Sequence, residues 1–97
     1  MKEVFLVSSD NKNKAETELK KDDLVSRGSI TVRSAESLGI KEDGYFIVVD
    51  ASEEAIKQAE RIMKGLGKKY KDREEVIEKV EKQEDSAMEG FGNILGA

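Results

Sequence analysis

Gly44-Tyr45-Phe46-Ile47-Val48-Val49-Asp50-Ala51-Ser52-Glu53-Glu54 is the stretch on which the reading of this chain turns. Tyr45 to Val49 is an unbroken apolar run that ends in an acid and leads straight into a helix-start signal. A run without alternation suits a strand covered on both faces, the habit of α/β proteins with parallel sheets. It also sets the Asp50 carboxylate past the carboxyl end of a strand, where open α/β sheets hold their ligands. Ser52 has N-cap chemistry, and Glu53 and Glu54 in the first turn suit the positive end of the helix dipole. Ile56, Ala59, Ile62 with Met63, and Leu66 then repeat at helical spacing, until Gly65 and Gly67 stop the helix.

Upstream, Val4-Phe5-Leu6-Val7 is a short apolar run whose β-branched and aromatic content favours a strand. Ser8 to Asn11 supplies turn chemistry, and Asn13 with Glu16 has capping-box spacing, so a helix is expected from about Lys14 to a stop at Arg27-Gly28. Ser29-Ile30-Thr31-Val32-Arg33 alternates polar and apolar, the pattern of an edge strand with one wet face. Ser34 to Leu38 suits a single helical turn closed at Gly39. Downstream, Lys68-Lys69-Tyr70-Lys71 reads as a basic connector. Asp72 with Glu75 opens a last, acidic helix, and Gly90, Gly92 and Gly96 loosen its end.

The expected architecture is a single small α/β domain with β-α-β-β-α-α order and about three helices. Its sheet is expected to be three-stranded and mostly parallel. A helical crossover between the first two strands implies a parallel pair, and the favoured strand order is 2-1-3. The domain covers 1–89, and 90–97 forms a glycine-rich hydrophobic tail.

The 97 residues suffice for one core. Charged residues make up 39% and the net charge is −4, the wrong balance for a nucleic-acid binder. Lys and Glu dominate the charges, as in heat-adapted proteins. With no cysteine and no histidine, disulfides, thiolate chemistry, zinc-cysteine sites and the commonest general base are all excluded. Any metal site must be built from oxygen, which favours calcium or magnesium. No stretch is apolar enough to span a membrane. The chain enters a strand almost at its first residue, so a cytoplasmic location is expected.

If the strands ending at Val7 and Val49 are parallel neighbours, Asp10 meets Asp50, Glu53 and Glu54 on one rim, and that cluster could weakly hold calcium or magnesium. The bland alternative leaves these residues as caps, dipole partners and a turn. A calcium-binding EF-hand loop is rejected, because lysines and Ala15 occupy its ligand and glycine positions. Gly65 to Lys71 lacks the features of a phosphate-binding Walker loop. Met88, Phe91, Ile94 and Leu95 recur at roughly helical spacing, either covering the chain's own core or docking on a protein partner as an adaptor surface. The leading expectation is therefore a non-enzymatic, weak divalent-cation binder, with a protein-interaction module as the alternative. An enzyme would have to run on carboxylates and lysines, and no motif positions them.

The run from Gly44 to Glu54, continued by Ala55, resembles small, uncharacterised acidic α/β proteins of methanogenic archaea, some of them proposed to bind calcium. The resemblance implies the same fold class and favours calcium. It carries no residue assignment.

Overall fold

In the computed structural model, residues 1–96 are described, with side chains described as far as Glu84. The strands are β1 (Lys2–Val7), β2 (Ser29–Ser34), β3 (Tyr45–Asp50) and β4 (Gly67–Lys69), and the helices are α1 (Ser9–Lys21), α2 (Glu53–Met63) and α3 (Arg73–Gly96). Short 3-10 turns at Val25–Arg27 and Glu36–Leu38 flank β2. The side chains of Met88, Phe91, Ile94 and Leu95 lie outside the described residues.

The run from Phe46 to Val49 is a strand covered on both faces, as its composition demands. Ile47 and Val49 point into a core with Phe5, Val7, Leu19 and Ile56, beneath α1 and α2. Phe46 and Val48 point the other way, into a second core with Val4, Leu38, Val76 and Val80, beneath α3 and the Glu36–Leu38 turn. Tyr70 closes that second core, its ring edge-on to Phe46 at 4.8 Å. Large side chains buried in this way contribute about 1.5–3 kcal/mol each.

The expectation of a mostly parallel, three-stranded sheet is wrong. The sheet has four strands in the order β2-β3-β1-β4, and every neighbouring pair is antiparallel. The inference from the first crossover was half right: β1 and β2 do point the same way, but β3 lies between them. The same holds for β3 and β4, with β1 between. Two interleaved β-α-β units of this kind form the split βαβ arrangement. Helices on both faces bury a strand as completely as a parallel sheet would, so an unbroken apolar run does not itself encode strand direction. β4 carries no strand signal in the sequence, because its three residues include two lysines and no apolar side chain.

Local signals fared better. Ser52 caps α2, its Oγ accepting the Ala55 N–H at 3.2 Å, and Asp72 precedes α3 as its spacing suggests, its carbonyl accepting the Glu75 N–H at 3.1 Å. The turn at Glu36–Leu38 closes at Gly39, which is left-handed at φ 71°. The start of α1 lies earlier than Lys14. Ser8 is its cap, with Oγ accepting the Asn11 N–H at 3.3 Å, so the serine overrides the Asn13–Glu16 spacing. The helix also stops at Lys21, and the residues before Gly28 form a separate 3-10 turn.

Gly44 opens β3 at φ 110°, and a Cβ there would collide with the Val7 carbonyl oxygen. Gly39 is also left-handed, but a Cβ there meets open space. Gly39→Ala should therefore cost about 1–2 kcal/mol, the left-handed penalty alone. Gly44→Ala should cost more than about 3 kcal/mol, because strain and a backbone clash add. Urea midpoints of the two variants check the order.

Candidate functional site

The four acids expected to share a rim do not meet. In the β1/β3 register Lys2 faces Asp50 and Val7 faces Tyr45, so the carboxyl ends of these strands lie at opposite ends of the sheet. Asp10, in the first turn of α1, is thus about 17 Å of strand away from Asp50. Asp50, Glu53 and Glu54 lie at the other end, where Asp50 lines a hollow with Lys2 and Glu81 and Glu54 a different one with Leu24 and Arg27. There Asp50 Oδ1 lies 3.7 Å from the Met1 ammonium, and Glu53 Oε1 lies 3.8 Å from Lys57 Nζ. No group of three or more acids arranged to hold a metal ion occurs among the described residues. The single rim for a cation is withdrawn with the parallel sheet that implied it.

One carboxylate is buried among the described residues, that of Glu3. Its Oε1 accepts the Val4 N–H at 3.3 Å, and its Oε2 faces Arg73 Nη1 at 3.5 Å and Lys69 Nζ at 3.8 Å. Lys69 in turn reaches Glu60 Oε1 at 2.8 Å. This chain of alternating charge fastens β1, β4, α2 and the start of α3 together. Every member has a partner, so it serves as a clasp.

The outer edge of β2 leaves main-chain groups without a strand partner. The alternation of Ser29 to Arg33 predicts an edge strand, and β2 is one. Ile30 and Val32 pack toward α1 and α2. Thr31 and Arg33, paired with Val48 and Phe46, face the α3 side. The Ala35 N–H donates to the Gly44 carbonyl at 3.0 Å. Alternation of antiparallel bonds from that point turns the main-chain groups of Arg33, Thr31 and Ser29 toward β3. It turns those of Ile30, Val32 and Ser34 outward. Two outward carbonyls meet side chains of the same segment: Val32 O accepts from Arg33 Nη1 at 2.9 Å, and Ser34 O accepts from Ser37 Oγ at 2.8 Å. No strand lies beyond this edge among the described residues.

Beside the edge, a groove of about 130 Å³ runs between β2 and α3. Ser29, Thr31, Asp50, Glu81 and Glu84 line it, together with Lys2. The Lys2 Nζ donates to Glu81 Oε1 at 3.0 Å, and this bond, with the Glu81 charge, raises the Lys2 pKa above its ordinary value. Three carboxylates line the groove against the Lys2 ammonium, with the Met1 ammonium 3.7 Å from Asp50 Oδ1 as a second cation, so its net charge is negative.

Asp22 holds the approach to β2. Its Oδ1 accepts the N–H groups of Leu24 at 2.9 Å and Val25 at 3.0 Å, and its Oδ2 accepts from Gln58 Nε2 of α2 at 2.9 Å. Of these, the Val25 bond does most to lower the Asp22 pKa, followed by Gln58. Comparison with protein-family models, with curated proteins and with solved structures gave no match. The split βαβ arrangement serves many unrelated activities and assigns none by itself. No helix among the described residues is long and apolar enough to cross a membrane.

A carboxylate whose folded pKa lies below its unfolded value stabilises the fold above the unfolded value, and loses that contribution as pH falls through the folded one. Asp22→Asn should therefore lower stability at neutral pH and flatten the fall in stability below the ordinary aspartate value of 3.8. Urea midpoints of the two proteins against pH should converge on the acid side.

Proposed function

We propose that the chain is a non-enzymatic binding module whose partner lays an extended segment alongside β2. The observation behind this reading is the outward row of main-chain groups on Ile30, Val32 and Ser34, left over once β2 has paired with β3. An open strand edge is a template for another strand: main-chain bonds supply affinity, and alternate side chains supply selectivity. Both faces of the sheet are filled by helices, so the edge is the part of the sheet left to bind with. The opposite edge is poorly suited, because β4 has three residues and two of them are lysines. A fitting partner would alternate apolar residues beside Ile30 and Val32 with basic ones facing Asp50, Glu81 and Glu84.

Selection of a displayed library of extended peptides on the purified chain tests this. Recovered peptides should protect the amides of Ile30, Val32 and Ser34 from hydrogen exchange and leave those of Thr31 and Arg33, already bonded to β3, unchanged. Val32→Pro removes an outward donor without touching the β3 ladder, so it should weaken these peptides about tenfold, the worth of one good hydrogen bond. Peptides that protect other amides, or a library that yields none, would reject the reading.

A further inference from the structure

We infer that the strand best fitted to this edge is β2 of a second copy of the chain, running antiparallel across a two-fold axis at Val32. This pairing presupposes the edge-binding function proposed above and names its partner. The first ground is register. With Val32 opposite Val32, Ile30 falls opposite Ser34 on both sides of the axis. All three outward-facing positions of each copy then lie in hydrogen-bonded pairs, each exchanging both main-chain bonds. The sheet becomes continuous through both copies, and the two-fold keeps α1 and α2 on one face and α3 on the other. A slide of two residues in one direction sets Arg33 against Arg33, which like charge disfavours. A slide of two in the other direction drops Ser34 from the ladder. A slide of one puts apolar residues opposite polar ones on both faces.

Charge is the second ground. In the two-fold register Arg33 of the second copy stands opposite Thr31, in the closer, non-hydrogen-bonded kind of pair. Thr31 lines the groove that holds Asp50, Glu81 and Glu84. The incoming guanidinium therefore meets a net acidic groove whose cations, Lys2 and the Met1 ammonium, are engaged with Glu81 at 3.0 Å and Asp50 at 3.7 Å. The symmetry repeats the contact on the other side.

Arg33 also explains why a lone copy has a guarded edge. Its guanidinium donates to Val32 O at 2.9 Å and so lies across the centre of the outward row. It therefore has two alternative seats, its own edge or a neighbour's groove. A strand with no acidic groove beside it offers the guanidinium no second seat and so gives it no reason to move. Pairing selects a strand like β2 itself.

Sedimentation equilibrium over a range of chain concentrations, combined with hydrogen exchange, tests the inference. The chain should dimerise, and the amides of Ile30, Val32 and Ser34 should gain protection as concentration rises, while Thr31 and Arg33 stay constant. Arg33→Glu should weaken the dimer about tenfold or more, since it sets a fourth carboxylate against the three of the groove, and Arg33→Glu with Glu84→Arg should restore it. Circular dichroism of each variant separates loss of pairing from loss of fold. A chain that stays monomeric at its solubility limit overturns the inference, as does a dimer whose even-numbered β2 amides stay unprotected or an Arg33→Glu variant that dimerises unchanged. If the monomer nevertheless takes library peptides at Ile30, Val32 and Ser34, edge binding survives and only the second copy is lost.

Discussion

The constraint on which the rest depends is the burial of β3 on both of its faces. Four successive apolar residues, Phe46 to Val49, send alternate side chains into two separate cores. A sheet with that strand near its centre cannot leave either face to water, so α1 and α2 must cover one side and α3 the other. Gly44 belongs to the same constraint. The chain approaches β1 so closely there that a side chain would strike the Val7 backbone. That contact fixes where β3 begins against Val7, and with it every pair in the ladder as far as Lys2 and Asp50.

Much of this was legible in the residues, and the part that was not has a definite cause. Ser52 and Gly39 each act within a few positions of themselves, so their roles as cap and stop could be read directly. The crossover through α1 gave the relative direction of β1 and β2 correctly. It could not say that β3 would insert between them, because adjacency depends on which strands share a core, and that is settled at long range. From a wrong neighbour followed a wrong rim. Asp10 and Asp50 each stand at a strand's carboxyl end, but the strands run in opposite directions, so the two acids end up at opposite ends of the sheet.

The candidate site divides in the same way. The alternation of Ser29 to Arg33 announced an edge strand, and a period of two needs only local information to be seen. The tie between Arg33 and the Val32 carbonyl was not visible, since a side chain folding back on its own strand leaves no mark on periodicity. The groove was hidden for a different reason: Asp50, Glu81 and Glu84 come from two elements more than thirty residues apart, and α3 joins them only by packing its Val76 and Val80 onto the sheet.

The two edges of the sheet receive different treatment, and the difference says what each is for. On β4 the protection is permanent. The strand ends after three residues, and Lys69 is held in the clasp with Glu3 and Glu60 at 3.8 and 2.8 Å, so moving it would break two ion pairs around a buried carboxylate. On β2 the protection is two side chains on two outward carbonyls, Arg33 on Val32 O and the Ser37 hydroxyl on Ser34 O, each interaction worth about 1–2 kcal/mol. A guard of that size suppresses casual pairing and yields to a partner able to accept the guanidinium elsewhere. An edge meant to stay closed would be shortened or loaded with fixed charge, as β4 is; β2 keeps its full six residues and a guard that can be moved.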